Sequence, residues 1–258
     1  MNMRPCESIR VPHPASGILH VHLSHSNQPL DWAVLYVHGF GSRQSGEKAL
    51  ALEEACARRG WTFVSFDFRG HGESTGNMLE LRGSGLLEDL AVVRDYLAGR
   101  GIGRMCLVGS SMGGWAASWF ALRHPEVVAG LALIAPALEF PRSFGRALTD
   151  AERQEWKKTG RLRVSNQFLS TEIGHAMEED SVHYPVDVLR AGLARPVLIF
   201  HGMMDDIVSF QSVLHFVQGA VSANMELRLY KDGDHRLLAK KNEMAEAACD
   251  FFGRCCLC

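Results

Sequence analysis

The chain has 258 residues, with 27 Lys and Arg against 29 Asp and Glu for a formal net charge of -2, so it has no overall positive field to hold a phosphate backbone or an anionic membrane. Nucleic acid is therefore not expected as a partner. Hydrophobic residues make up 47% and charged residues 22%, which is ordinary globular usage with ample core material, at a length that one α/β domain spanning 1–258 can accommodate.

The first ten residues carry Arg4, Pro5 and Glu7 and have no continuous apolar segment. Neither a secretory signal nor an Arg-rich amphipathic transit peptide is expected, which leaves the cytoplasm as the default address. The longest apolar stretch, 127–138, is interrupted by Gly130 and Pro136 and is shorter than the roughly 20 residues of a membrane-spanning helix. No transmembrane segment is expected. Of seven cysteines, Cys6, Cys56, Cys106 and Cys249 stand singly, a pattern that reads as reduced thiols rather than a disulfide framework.

In chain order, 9–13 and 18–25 look like an antiparallel hairpin around Pro14 to Gly17, at one edge of a sheet. From Trp32 onward, short β-rich apolar runs at 33–38, 62–68, 105–109, 130–135, 197–201 and 226–230 alternate with segments of helical periodicity. Leu86, Leu90, Val93 and Leu97 form one such stripe, Ala49, Leu52 and Cys56 another, and Met244, Ala248 and Phe251 a third. This alternation predicts a mostly parallel sheet with helices on both faces. The segment 139–195 is too long for an ordinary connection and reads as a small helical cap. Within it, Thr149 and Glu152 match a capping box for a helix over 150–158, and a second helix is expected over 171–180.

The candidate chemistry begins at Gly109-Ser110-Ser111-Met112-Gly113, which follows an apolar strand and opens a helical run. That is the context of the G-x-S-x-G nucleophile elbow, with Ser111 at its centre. A serine hydroxyl needs an imidazole to take its proton, and the imidazole needs a carboxylate to fix its tautomer and stabilise its cation. In such sheets these partners follow the nucleophile in the order acid, then histidine, each in a loop after a strand. Asp205, in the loop after 197–201, is the expected acid, with Asp206 the alternative and a helix cap its other role. His235, after 226–230, is the expected base. Backbone N–H groups of Phe40, in His38-Gly39-Phe40-Gly41, and of Met112 are the expected oxyanion donors.

Together these motifs resemble the α/β-hydrolase superfamily from about the first hairpin to the last helix. Asp67-Phe68-Arg69-Gly70-His71-Gly72-Glu73-Ser74 adds the superfamily's Gly-rich turn, which reads as structural. Leu107 to Trp115 (LVGSSMGGW), His201 to Val208 (HGMMDDIV) and Asp234-His235-Arg236 are most similar to the branch containing mitochondrial palmitoyl-protein thioesterases, also described as acyl-glucuronide esterases. The resemblance implies a serine hydrolase that removes acyl groups from thioesters or activated esters of small molecules or acyl-proteins. Ser209 stands where many relatives have Pro. Acyl transfer to an alcohol or amine, hydrolysis of small peptides, and ligand binding without catalysis remain alternatives on the same scaffold.

No cofactor or metal is expected. His20 and His22 alternate along a strand and read as its solvated face, and Cys255-Cys256-Leu257-Cys258 reads as a disordered tail. Phe140, Phe144, Trp156, Phe168 and Leu169 either line the substrate pocket or form the cap's own core. The Arg and Lys excess early in the cap, including Arg153 and Lys157, marks either a site for an anionic substrate or a solvated helix face.

Overall fold

A computed structural model describes residues 6–15, 17–26, 30–165, 169–222 and 224–255. Phe168 and the terminal Cys256 and Cys258 lie outside these residues.

The strands are β1 (Cys6–Pro12), β2 (Ile18–Ser24), β3 (Trp32–Val37), β4 (Phe63–Phe66), β5 (Arg104–Ser110), β6 (Val128–Ile134), β9 (Val197–Gly202) and β10 (Met225–Tyr230), in the spatial order β1-β2-β4-β3-β5-β6-β9-β10. The hairpin β1–β2 and the β2–β4 pair are antiparallel, and every other pair is parallel. Successive side chains of a strand point to opposite faces, so a strand covered on both sides must be apolar throughout. β3 shows this directly. Ala33, Leu35 and Val37 enter the core beneath α2 (Gly83–Ala98) and α3 (Met112–Arg123), while Val34 and Tyr36 enter the core beneath α1 (Glu47–Arg59) and α9 (Lys241–Cys255).

α3 is buried from Met112 to Ala121. A helix apolar on all sides belongs in a protein interior, and this one places the chain immediately after Ser111 in the middle of the molecule. The order β4-β3-β5 reverses the direction in which strands are added. Ligands of open parallel sheets bind at such a switch point, beyond the carboxyl ends of the strands.

The segment between β6 and β9 contains α4 (Phe140–Arg146), α5 (Asp150–Thr159), the hairpin β7 (Arg161–Ser165) and β8 (Ser170–Gly174), α6 (Ala176–Ser181) and α7 (Val186–Gly192). The capping box at Thr149 and Glu152 is present at the start of α5. The helix expected over 171–180 is not: residues 170–174 pair with 161–165, and helix begins only at Ala176. Thr171 and Ile173 face inward in alternation, and β-branched residues at period two favour a strand. His20 and His22 also depart from expectation. His20 contacts Ser8 and Gln44, and His22 meets Glu53 of α1 at 2.9 Å, so this face is half-buried, partly under α1, rather than fully solvated.

Close packing between β3 and α3 fixes the turn that joins β5 to α3. A Cβ on Gly113 would lie 2.1 Å from the Val37 carbonyl oxygen, and one on Gly109 would lie 2.5 Å from the Gly113 oxygen. Gly113→Ala therefore forces backbone apart and is expected to cost at least about 1–3 kcal/mol, read as a lower midpoint in urea unfolding. Unchanged stability would show that β3 and α3 are not held this closely.

Candidate active site

Ser111 follows β5 with φ 52 and ψ -115, a conformation that L-residues rarely adopt and that costs of order 1–3 kcal/mol unless its surroundings impose it. Here they do. The Ser111 N–H donates to the Ile134 oxygen at 2.9 Å, and its carbonyl accepts from Gly114, Trp115 and Ala137 at 2.9, 3.2 and 3.2 Å. Strand, helix and the loop after β6 each hold one side of the turn, and the side chain is left at the wall of a large cavity.

The structure brings the three expected side chains into one line. His235 Nε2 lies 3.1 Å from Ser111 Oγ, and His235 Nδ1 lies 2.8 Å from Asp205 Oδ2. Asp205 is the residue that meets the histidine. Its Oδ1 accepts from the N–H groups of Ile207 and Val208 at 2.9 and 2.8 Å, closing the loop after β9 around the carboxylate. The helix-capping role considered for Asp206 belongs to Ser209, whose Oγ accepts from Gln211 N at the start of α8 (Phe210–Gly219). Ser209 thus supplies a cap acceptor to α8.

One member of the cluster was not legible from the sequence. His201, fully buried at the end of β9, places Nε2 3.0 Å from Asp205 Oδ2 and 2.9 Å from the Val208 oxygen. Burial alone would raise the Asp205 pKa, but hydrogen bonds from His201, His235 and the Val208 N–H outweigh it and hold the carboxyl well below the usual range. The acid is thus a fixed anion, which suits it to orient an imidazole and to stabilise an imidazolium.

The loop after β3 touches the elbow from the other side. A Cβ on Gly39 would lie 3.2 Å from the Ser110 oxygen and 3.4 Å from Ser111 Cβ, so Phe40 reaches the cavity beside the nucleophile. Met112 occupies the first position of α3, where a helix has no internal acceptor for its N–H. His38 fastens this loop: Nδ1 donates to the Gly39 oxygen at 2.8 Å and Nε2 accepts from the Phe68 N–H at 3.1 Å.

The cavity has a volume of about 1050 Å³, at the upper end of ordinary ligand sites. Phe40, Phe140 and Phe144 pack against one another with ring centroids 5.3 to 5.9 Å apart and form one wall, extended by Val164 and Leu169. Val186, Ile207 and Phe216 also line it, as do Lys48, Ser110 and Arg236, which are joined by hydrogen bonds from Lys48. Of the aromatic candidates, Phe140 and Phe144 line the cavity, as does Leu169. Trp156 instead is buried edge-on against His175, in the hydrophobic core that is continuous with that of the sheet. Arg153 donates to the Gly145 oxygen and pairs with Asp150, while Lys157 and Lys158 are exposed. The cations early in the insertion are thus a solvated face.

Away from the cavity, Cys6, His22 and Glu53 bring metal-ligating atoms within 4.8 Å of one another, a grouping the sequence reading missed. The Cys6 thiol lies 3.3 and 3.6 Å from the two ring nitrogens of His22. That places it alongside the ring rather than in line with either lone pair, so the present rotamers do not form a coordination shell.

His38 makes the loop sensitive to acid. Burial depresses its pKa to about 4 from an ordinary 6.5, and protonation would remove the acceptor that the Phe68 N–H uses. Between these values the unfolded chain binds the proton and the folded chain does not, so stability falls as pH drops from about 6.5 toward 4. His71, beside it and also pushed down to about 4 mainly by burial, adds in the same direction. Urea midpoints measured across this window should decline, and His38→Asn should flatten the slope. An equal slope in the variant would contradict this role.

The model for Hydrolase_4, described as serine aminopeptidase S33, matches residues 28–195, well over half of the chain. The mouse protein named palmitoyl-protein thioesterase ABHD10, mitochondrial, is 33% identical over 219 residues, covering 80% of this chain and 70% of that protein. Among solved structures, a putative hydrolase from Agrobacterium vitis S4 aligns with a TM-score of 0.85 at 27% identity, covering 96% of this chain and 98% of the other. Mouse alpha/beta hydrolase domain-containing protein 10 aligns at 0.84 and 26%, covering 96% and 99%. The chain belongs to the Hydrolase_4 family and is a serine hydrolase of the α/β-hydrolase superfamily.

Proposed function

We propose that the chain hydrolyses carboxylic esters or thioesters with Ser111 as nucleophile, His235 as general base and acid, and Asp205 as the orienting carboxylate, under a cap formed by 139–195. The observation that carries this reading is the hydrogen-bonded line from Ser111 Oγ through His235 to Asp205, opening into a cavity with an aromatic wall. Ser111 Oγ attacks the acyl carbon while His235 Nε2 takes its proton, and the oxyanion forms beside the N–H groups of Phe40 and Met112. The bond to the alcohol or thiol then breaks, and that group leaves with the proton from His235. Water repeats the sequence on the acyl-serine, giving its proton to His235, and releases the carboxylic acid and Ser111.

The relatives named palmitoyl-protein thioesterase and the apolar wall support an apolar acyl group. The cavity's charges disfavour an aminopeptidase, which must meet a substrate ammonium with a free carboxylate. Glu47, Glu139 and Asp187 line the cavity, but each pairs with a cation, namely Lys241, Arg146 and Arg190. Cytoplasmic residence is part of the proposal, supported by Cys56 and Cys249, whose sulfurs stand 4.0 Å apart as thiols, whereas the relatives are named mitochondrial. No helix of the described residues is long and apolar enough to cross a membrane.

A fluorophosphonate probe should label the wild type at Ser111, with labelling absent in a folded Ser111→Ala variant. Asp205→Asn should lower kcat by roughly 10³- to 10⁴-fold on a p-nitrophenyl ester or thioester. A wild type that neither labels nor turns over either ester type would point to a ligand receptor. Comparing acyl lengths in both ester types would then define the preferred substrate.

A further inference from the structure

Lys48, in the first turn of α1, directs its side chain to the carboxyl ends of the strands rather than outward. Its Nζ donates to Ser110 Oγ at 2.7 Å and to the Arg236 carbonyl oxygen at 3.1 Å. Ser110 is the residue before Ser111, and Arg236 is the residue after His235. The buried Tyr36 hydroxyl of β3 also hydrogen-bonds to Ser110. One ammonium therefore joins the backbone segment that carries the serine to the segment that carries the imidazole, beside the 3.1 Å contact between those two groups.

We propose that Lys48 is a positioning residue that sets the distance and angle between Ser111 and His235 by tying Ser110 to Arg236. The inference rests on the hydrolase reading above. A half-buried ammonium whose hydrogen-bond partners are a hydroxyl and a carbonyl, rather than a carboxylate, is a poor source of stability, because the hydration it loses is not returned by an ion pair. Its bonds are nonetheless charge-assisted, and so stronger and more directional than neutral ones. The two loops it joins come from strands far apart in sequence, and a small misalignment of reacting groups costs far more in rate than in stability.

The charges facing Lys48 support the same role. Burial first, and then the neighbouring Arg236, depress its pKa to about 8, against the opposing pull of Asp234 and Asp205. Below that value the ammonium donates as a cation. As pH rises through it, the amine keeps its N–H groups but loses the charge that strengthens them, so the tie loosens and turnover declines on the alkaline side.

The test is kinetics and labelling on the full chain as wild type, Lys48→Met, Lys48→Arg and Ser110→Ala. Met keeps the apolar stem without charge or donors, so kcat should fall about ten-fold with KM within about two-fold. Tm should be unchanged or higher, since a partly desolvated charge without an ion-pair partner has been removed. Arg should restore most of the activity and, because a guanidinium does not deprotonate, should abolish the alkaline decline of the wild type. Ser110→Ala should lower kcat in the same way, which keeps the inference testable if the Met variant does not fold. Wild-type kcat and an unchanged pH profile in Lys48→Met overturn the inference alone, as does a lowered Tm with kcat intact, the mark of a merely structural residue. A wild type without labelling or turnover overturns the hydrolase reading and this inference with it.

Discussion

A serine held at φ 52 is the constraint on which the site depends. The conformation is unfavourable for any residue with a Cβ, so the packing around it must be stronger than the strain. That packing is the burial of α3, whose Met112, Trp115, Trp119 and Phe120 are almost wholly enclosed between the sheet and its neighbours. The absence of a side chain at Gly113 lets the helix press against Val37. Because the helix cannot move outward without exposing this surface, the turn stays tight and Ser111 stays at the cavity wall. The same helix start leaves the Met112 N–H beside the nucleophile, so the strain and the candidate oxyanion site have one origin.

The charges around the serine are arranged by burial and by hydrogen bonding, with opposite results. Asp205 is surrounded by donors and stays ionised, whereas His38 is enclosed as both donor and acceptor and stays neutral. The first supplies a permanent negative charge behind His235. The second fixes the loop bearing Phe40 without adding a cation. Phe40, Phe140, Phe144, Val164 and Leu169 supply the apolar part of the cavity lining, where an apolar acyl chain is stabilised by leaving water.

The parts of this arrangement that were legible in the sequence are those encoded locally. Apolar runs gave the parallel strands, and glycines around Ser111 between a strand and a helical stripe gave the elbow. Chain order gave His235. Asp205 could be narrowed to two adjacent positions, but only the folded loop, with the Ile207 and Val208 N–H groups closed on one carboxylate, separates it from Asp206. His201 opens the His201 to Val208 motif, but nothing local tells its role, and Lys48 carries no local signature. Each acts on a partner that only the folded chain brings within hydrogen-bond distance, His201 on Asp205 around a turn and Lys48 on Ser110 and Arg236 from far along the sequence. The insertion was harder to read for the same reason: Thr171 and Ile173 are strand residues because 161–165 lies alongside, and Trp156 packs against His175 in the core that the insertion shares with the sheet.

The central claim is that Ser111 Oγ becomes covalently acylated. Rapid acid quench of the wild type during turnover of a thioester, followed by peptide mass spectrometry, tests it most directly. The account predicts the acyl mass on the peptide containing Ser111, forming and decaying at rates compatible with turnover. Acyl groups found instead on a cysteine, or turnover at the same rate with no acylated serine in a Ser111→Ala chain, would contradict it.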